Sequence, residues 1–311
     1  MLRRKWSFST MWTISFIIML GVASAAALAL LVCVLKEKKI EARELDRSQQ
    51  LLISAKIFSP DGYFLMPKDG TYIPAKLDSA GVLVPGTVDD KASPHQVATL
   101  YHKIVRALVV DRSGVLSTYE KAGLEMGPYL SEWRVTKPGL LAWLPIFEIL
   151  AVDGSGAPVS YVIPITGFGL WDRIVGYIAI RPDGKTVEGI AWYDQKETPG
   201  LGGVITESGW QAQFQGKIIF QPDEKGQVDM ERSPIGIRVV KGTVSDVLDN
   251  SPKAMNAVDG IAGATLTGKG VTAAYKDNLE LYRPFFEKLA EMNHGEAGRM
   301  ELLLRPGVQK Q

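Results

Sequence analysis

An uncharged apolar run near the start of the sequence is long enough to cross a membrane. Three basic residues precede it, and no charged side chain occurs from Trp6 to Leu35. A helix of about 20 apolar residues spans the hydrocarbon core of a bilayer. Trp6 and Trp12 stand where aromatic residues line the membrane interface. The run therefore predicts a single-pass transmembrane anchor with the rest of the chain on its C-terminal side.

A cleaved signal peptide is the alternative interpretation of this run, because Ala23–Ala25 reads Ala-Ser-Ala and resembles a cleavage site. The apolar core of a signal peptide is about 7–15 residues long. This run continues to Leu35, which favours an uncleaved anchor. Basic residues flank the run on both sides, so charge alone leaves open which side of the membrane the body of the chain occupies.

The composition is that of a globular protein with no nucleic-acid or metal partner. The 311 residues carry 35 basic and 34 acidic side chains and are 46% hydrophobic, so the charges nearly cancel. No basic run is interleaved with aromatic residues, which argues against a nucleic-acid footprint. The single cysteine and the three scattered histidines show no metal-ligand spacing. We predict no catalytic acid, base or nucleophile in the chain.

The body of the chain is predicted to be α+β, with a mostly antiparallel sheet and flanking helices. β-rich runs separated by Asp-Gly and Pro-Asp-Gly turns indicate antiparallel hairpins. The predicted strands are 104–110, 147–152, 159–165, 173–180, 186–194, "KIIF" at 217–220 and "PIGIRVVKG" at 234–242. A helix follows from Gly268, with a kink or restart at Pro284.

The predicted organisation has three parts. Residues 1–35 form the anchor, and residues 36–100 form a charged juxtamembrane helix followed by a loop-rich region. Within the second part, residues 60–95 are rich in Gly, Pro and Asp, which predicts loops with short strands. Residues 101–311 form the α+β domain.

The stretch "DGIAGAT", from Asp259 to Thr265, stands directly before the last predicted helix. A threonine at a helix start commonly caps it by accepting a hydrogen bond from a first-turn N–H group. Capping does not require the small residues ahead of Thr265, which let the backbone approach a bulky group closely. A helix N-terminus also favours an anion such as a phosphate. The residues alone leave capping and phosphate binding open.

This stretch resembles the flavin-attachment motif of the FMN-binding domain family, Asp-Gly-x-Ser/Thr-Gly-Ala-Thr/Ser. Asp259, Gly263 and Ala264 match the motif, and Thr265 matches its last hydroxyl residue. In that family a flavin transferase moves FMN from FAD onto this hydroxyl, so the resemblance implies covalent FMN on Thr265. One position departs from the motif, because Ala262 stands where the family usually has Ser or Thr. This change removes a hydroxyl near the phosphate but keeps the acceptor.

Two further stretches resemble the same family. The first, "ETPGLGG" at 197–203, matches a loop that lies over the flavin. The residues that this resemblance places beside the cofactor are Glu197, Thr198, Gly200 and Leu201. The second, "IPITGFGLWD" at 163–172, resembles a Pro-Ile-x-Gly-x-Gly-Leu-Trp segment and implies a cofactor contact from Trp171. Each stretch alone also fits a simple turn or core packing, but their order ahead of the helix favours the family.

The second stretch and the long region before the β-rich part are similar to one subfamily, the NqrC subunits of sodium-translocating NADH:quinone oxidoreductases. The resemblance implies an electron carrier between NADH and ubiquinone, coupled to sodium export. It also implies a bacterial inner-membrane location, with the bulk of the chain on the periplasmic side. The implied partners are other membrane subunits of the complex, the flavin transferase and membrane lipid. The alternatives are the related RnfG protein of an Rnf-type electron-transport complex, an extracytoplasmic FMN-binding regulatory module, and a flavin-free protein that uses the turn as a helix cap.

Overall fold

A long helix, α1 (Phe8–Ser54), opens the part of the chain that the computed structural model describes, which comprises residues 8–137, 139–153 and 155–294. Within α1, Met11–Lys36 is long enough and apolar enough to cross a membrane, and its side chains are exposed. This segment agrees with the predicted transmembrane span. The chain divides into two compact units, Met1–Arg47 and Ser48–Gln311.

The larger unit is built on a six-stranded antiparallel sheet with the order β5-β4-β6-β7-β8-β9. Its strands are β4 (Val105–Val110), β5 (Leu116–Ser117), β6 (Leu144–Leu150), β7 (Pro158–Phe168), β8 (Arg173–Ile180) and β9 (Val187–Asp194). From β6 to β9 each strand pairs with the next one along the chain, as hairpin connections dictate. The predicted α+β fold with a mostly antiparallel sheet is confirmed, and β8 has the predicted bounds.

Residues 60–95 contain a second, three-stranded sheet in the order β1-β2-β3. Its strands are β1 (Phe64–Lys68), β2 (Thr71–Leu77) and β3 (Leu83–Pro85). The short strands predicted for this region are therefore confirmed. The sheet precedes helix α2 (Pro94–Ile104), whose start is fixed by a capping box between Ser93 and Gln96.

The remaining elements are short until the C-terminal helices. They are α3 (Met126–Val135), α4 (Ser208–Gln211), β10 (Arg238–Val239), α5 (Val244–Leu248), β11 (Ala257–Val258), α6 (Thr265–Leu279) and α7 (Arg283–His294). A single 3-10 turn, Glu280–Tyr282, separates α6 from α7 and stands directly before Arg283 and Pro284. The predicted restart at this proline is confirmed, since proline disrupts a continuing helix.

Helix α6 packs closely against β7, and this contact fixes where its N-terminus lies. Gly167 of β7 faces Ala274, and Gly270 of α6 faces the backbone of Phe168, so no bulky side chain separates helix and strand at these points. Further along α6, the side-chain amide of Asn278 donates a 2.7 Å hydrogen bond to the carbonyl of Thr166. The start of α6 is thereby held at the end of β7.

The predicted strand at 217–220 is wrong. Ile219 and Phe220 are fully buried, but the segment makes only isolated bridges, from Ile218 to Thr186 and from Phe220 to Ile235. The run is apolar because it fills the core, and its backbone groups find scattered partners instead of a continuous ladder. The neighbouring predicted strand at 234–242 is reduced to the two residues of β10.

Candidate functional site

Thr265 is the first residue of α6 and its side chain is exposed. The helix begins at an N-cap residue, Ala264, that offers no side-chain cap, and the hydroxyl of Thr265 makes no hydrogen bond to any described residue. The capping interpretation of Thr265 is therefore wrong. The first-turn N–H groups of a helix lack intrahelical partners and carry its positive dipole end. The free hydroxyl thus stands at a position that favours an anion.

An open cavity of about 720 Å³ adjoins Thr265. One wall is the motif, residues 259–265, and the other is residues 239–243, which include the "VVKG" segment that precedes the motif. The two walls are held together because β10 and β11 pair in parallel, with Val239 opposite Val258. Two cationic side chains, Lys241 and Lys269, also line the cavity. It therefore offers positive charge beside the free hydroxyl.

Asp259 serves the structure of the motif itself. Its carboxylate accepts a 2.7 Å hydrogen bond from the backbone N–H of Val244, at the start of α5. Its carbonyl accepts a 3.1 Å bond from the indole of Trp210. Asp259 thus anchors the beginning of the motif to two segments that lie outside it.

Glu197 joins three parts of the site. One oxygen of its carboxylate accepts hydrogen bonds from the backbone N–H groups of Leu170 (3.0 Å) and Trp171 (2.9 Å). The other accepts a 2.5 Å bond from the hydroxyl of Thr267, in the first turn of α6. Glu197 and Thr267 are 5% and 1% exposed. We call these two residues and their bonds the Glu197 latch, because it holds two loops and α6 together.

Two glycines make room for the latch. A Cβ on Gly169 would lie 2.5 Å from one carboxylate oxygen of Glu197, and a Cβ on Gly202 would lie 2.5 Å from the other. Burial raises the pKa of Glu197, but the hydrogen bonds from Thr267 and the backbone outweigh it, so the pKa is lower than its ordinary value. The carboxylate is therefore held as an anion by hydrogen bonds.

The "TPGL" segment forms a tight turn at the surface. The N–H of Leu201 donates a 3.0 Å bond to the carbonyl of Thr198, and Gly200 has a φ of +72°. Proline at the second and glycine at the third position of this turn are typical of type II. The side chain of Leu201 reaches the motif at 259–265, where a Cβ on Gly263 would lie 3.0 Å from its Cδ2 atom.

Large apolar side chains are exposed on the segments that meet around the start of α6. Trp171 is 69% exposed. The set, which we call the apolar rim, consists of Phe168, Leu170, Trp171, Leu201 and Leu266. A cluster of exposed apolar side chains is typical of a surface that binds a ligand, another protein or a membrane.

The site residues predicted from the sequence come together in one region. Gly263 lies against Leu201, next to Ala264 and Thr265 in the chain, and the latch connects Glu197 to the backbone of Trp171. Thr198 and Gly200 supply the backbone of the turn. Both predicted acidic residues bind protein donors. The carboxylate of Glu197 accepts hydrogen bonds from two backbone N–H groups and Thr267, and that of Asp259 accepts one from the N–H of Val244.

Sequence reasoning missed the role of Thr267, which lies two residues beyond the motif. It also missed Gly169 and Gly202, whose lack of a side chain admits the carboxylate. No local signal identifies these roles, because Thr267 and Glu197 are 70 residues apart in the chain.

The arrangement suits FMN. A bound phosphate needs hydrogen-bond donors and positive charge, and the start of α6 and the two cavity lysines offer these. A planar isoalloxazine ring needs apolar contacts, and the apolar rim offers them. No group of His, Cys, Asp or Glu within the described residues could hold a metal ion.

Comparisons with known proteins agree with this geometry. The FMN-binding domain family matches residues 169–280, which span the loop at Gly169, the Glu197 loop and the whole of α6. The NqrC subunit of the Na(+)-translocating NADH-quinone reductase of Chlamydia muridarum is 37% identical over 300 residues, covering 91% of this chain and 93% of that protein. The same subunit of Pasteurella multocida is 30% identical, covering 89% and 93% of the two chains.

A solved structure shares the fold. The crystal structure of the NqrC subunit from Parabacteroides distasonis has a TM-score of 0.53 and 24% identity, covering 81% of this chain and 96% of that one. By the identity and coverage of its relatives, the chain belongs to the NqrC family of Na+-translocating NADH-quinone reductase subunits, and it carries that family's FMN-binding domain.

Proposed function

We propose that this chain carries FMN covalently on Thr265, through a phosphoester, and uses it to pass electrons between partner subunits of a sodium-translocating NADH:quinone reductase. The observation that carries the proposal is the free, exposed hydroxyl of Thr265 at the start of α6. It ends the matched motif and adjoins a cavity lined by two lysines.

The attachment reaction balances without a redox step. The Thr265 hydroxyl oxygen attacks the FMN phosphorus of FAD, an O–P bond forms, and the pyrophosphate bond to AMP breaks. AMP is the leaving group, and the hydroxyl proton is lost to the flavin transferase or to solvent. Ala262 stands where the family usually has Ser or Thr. This difference leaves the attachment chemistry intact, because the hydroxyl that is missing at position 262 is not the acceptor.

The residues of the chain position the cofactor and supply its surroundings. Lys241 and Lys269 provide positive charge near the phosphate, and the apolar rim provides contacts for the ring. The Glu197 latch keeps the loop carrying Trp171 in register with the acceptor helix. FMN, when bound, supplies reversible electron transfer, while the protein supplies binding and electrostatics.

We further propose a bacterial inner-membrane location with the bulk of the chain on the periplasmic side. The apolar segment Met11–Lys36 supports a single span in contact with lipid. A covalent tether suits this location, because free FMN lost from the site would not be replenished outside the cytoplasm. Turnover is expected from the complex with other membrane subunits and not from the isolated chain.

The test is co-expression of the full chain with a flavin transferase, followed by a denaturing gel viewed under ultraviolet light and peptide mass spectrometry. The matched variants are Thr265→Ala and Thr267→Ala. We expect a fluorescent band for the wild type and for Thr267→Ala, and none for Thr265→Ala, with FMN on the peptide that contains Thr265. A dark wild-type band beside a positive control for the transferase would refute covalent attachment.

A further inference from the structure

A second cavity, of about 400 Å³, has mostly apolar walls and shares no residue with the cavity at Thr265. One wall is the three-stranded sheet, which contributes Leu65, Tyr72 and Leu83, and another is formed by β7 and β9, with Val159, Ser160 and Glu188. Residues 55–57, which follow α1, complete it. Its volume is within the range of small-molecule sites. The region 60–95, to which the sequence assigns no role, thus builds a cavity wall.

Two hydrogen-bond donors line this cavity without a partner among the described residues. Ser160 is 1% exposed and its hydroxyl has no hydrogen bond. The ammonium of Lys56 makes no hydrogen bond or ion pair with the described part of the chain, and burial lowers its pKa although Glu188 raises it. Buried donors that lack an acceptor are costly. The buried hydroxyl of Ser160 therefore calls for an acceptor inside the cavity. Lys56 is only partly buried, and its ammonium adds a positive charge that can bind the same acceptor.

The position of Lys56 is built into the backbone. Its φ is +58°, an uncommon value for a residue other than glycine. The stem of Lys56 crosses β9 at Gly189, where a Cβ would lie 2.9 Å from the Lys56 Cε atom. The missing side chain of Gly189 therefore leaves the path along which Lys56 enters the cavity.

The charges around Lys56 leave room for an anion. Glu188 is engaged by the hydroxyl of Tyr72 and the guanidinium of Arg181. Burial raises the pKa of Glu188 to about 7, so near neutral pH this side chain carries on average less than one full negative charge, against the two cations Lys56 and Arg181. Asp153 also lines this second cavity, but its side chain is exposed, and it accepts a 2.8 Å hydrogen bond from the N–H of Ser155.

We propose that this cavity binds an amphiphile with one apolar chain and an anionic, oxygen-bearing head, with the head on Lys56 and Ser160 and the chain against the apolar walls. A free fatty acid has this chemistry, and an anionic phospholipid can present it with its head group and one of its two acyl chains. The proposal is independent of flavin attachment, since no residue of the cavity belongs to the site around Thr265.

The test is isothermal titration calorimetry of the full chain in phosphatidylcholine nanodiscs, with sodium decanoate as the probe and empty nanodiscs as the blank. We expect saturable binding by the wild type and binding weakened about tenfold in Lys56→Met, because a charge-assisted contact is lost. Lys121→Met, which changes an exposed lysine outside the cavity, is the matched control and should bind as the wild type does. Decanol, which has the same chain without the charge, should bind both lysine variants equally.

Two further variants protect the test against a folding defect. Ser160→Ala should weaken decanoate binding. Val82 also lines the cavity and is partly exposed to solvent, so Val82→Trp should fill the cavity and abolish binding of both probes while leaving the thermal midpoint unchanged. Displacement of decanoate by dihexanoyl phosphatidylglycerol would identify the ligand as a phospholipid, and failure to displace it would identify a fatty acid. Absence of saturable decanoate binding, or equal affinity in the wild type and Lys56→Met, would overturn the proposal.

Discussion

Replacing Thr267 by valine tests whether the Glu197 latch stabilises the site. The change keeps the β-branched shape and a similar helix propensity. It removes only the hydroxyl that donates a 2.5 Å hydrogen bond to the carboxylate of Glu197. A hydrogen bond to a charged group contributes about 1.5–3 kcal/mol net. Because both side chains are buried, water cannot replace the lost donor. We expect the free energy of unfolding to fall by about 1.5–3 kcal/mol.

The natural control is two residues away. Thr265→Val removes a hydroxyl that is exposed and has no partner among the described residues, so its effect on the free energy of unfolding should stay within about 0.5 kcal/mol. The two variants should have opposite effects on FMN attachment and on the free energy of unfolding. Thr265→Val should lose FMN and keep its stability, whereas Thr267→Val should keep the acceptor and lose stability.

The assay is urea unfolding of the full chain in a non-ionic detergent, followed by tryptophan fluorescence. Protein made without the transferase is used, because bound FMN would itself add stability. In a thermal scan the same change corresponds to a fall of roughly 3–12 °C in Tm, at about 2–4 °C per kcal/mol for a unit of this size. A Thr267→Val protein within about 0.5 kcal/mol of the wild type would refute the reasoning, since the loss of a buried charged hydrogen bond exceeds that value.

Three other outcomes follow from the same geometry. Because hydrogen bonds hold the pKa of Glu197 below its ordinary value, the ionised carboxylate contributes stability above about pH 4.5, and this is lost as the pH falls through the lowered pKa. Urea midpoints of the wild type and Glu197→Gln should therefore differ at pH 7 and converge as the pH falls through that pKa. Gly200→Ala and Gly263→Ala both place a side chain at positive φ, but only the second meets Leu201, so unfolding curves should show a loss of about 1 kcal/mol for the first and more for the second. Ala262→Ser restores the hydroxyl that is usual in the attachment motif and should raise the rate of flavin incorporation, measured by in-gel fluorescence at a fixed transferase concentration. Equal rates would show that this hydroxyl is dispensable.

The hairpins could be predicted because their signals are local. The run that became β8 is bounded by turns, and its pairing with β9 closes through Arg181–Thr186, where the N–H of Gly184 bonds to the carbonyl of Arg181. The error at residues 217–220 has the opposite cause. An apolar run of that length fits a strand or a buried irregular segment equally well, and only the positions of Thr186 and Ile235 decide between them.

The residues of the candidate site also fall into two groups, those with a local sequence signal and those whose role depends on distant parts of the chain. Thr265 and the turn at Gly200 could be located from short motifs, because their residues are adjacent in the sequence. The partner of Glu197 could not, because the carboxylate meets a hydroxyl contributed by a distant helix. Trp171 and Leu201 of the apolar rim were predicted as cofactor contacts. The rest of the rim was hidden, since only the fold shows that Phe168 and Leu266 are left uncovered.

The 70-residue separation of the two latch residues sets an order of events during synthesis. At about 5–20 residues per second, the ribosome needs roughly 4–14 s between adding Glu197 and adding Thr267. Throughout that interval the carboxylate lacks its hydroxyl donor, and for nearly all of it the acceptor threonine does not yet exist. Flavin loading on Thr265, the proposed acceptor, therefore cannot begin until nearly the whole chain up to α6 has been synthesised.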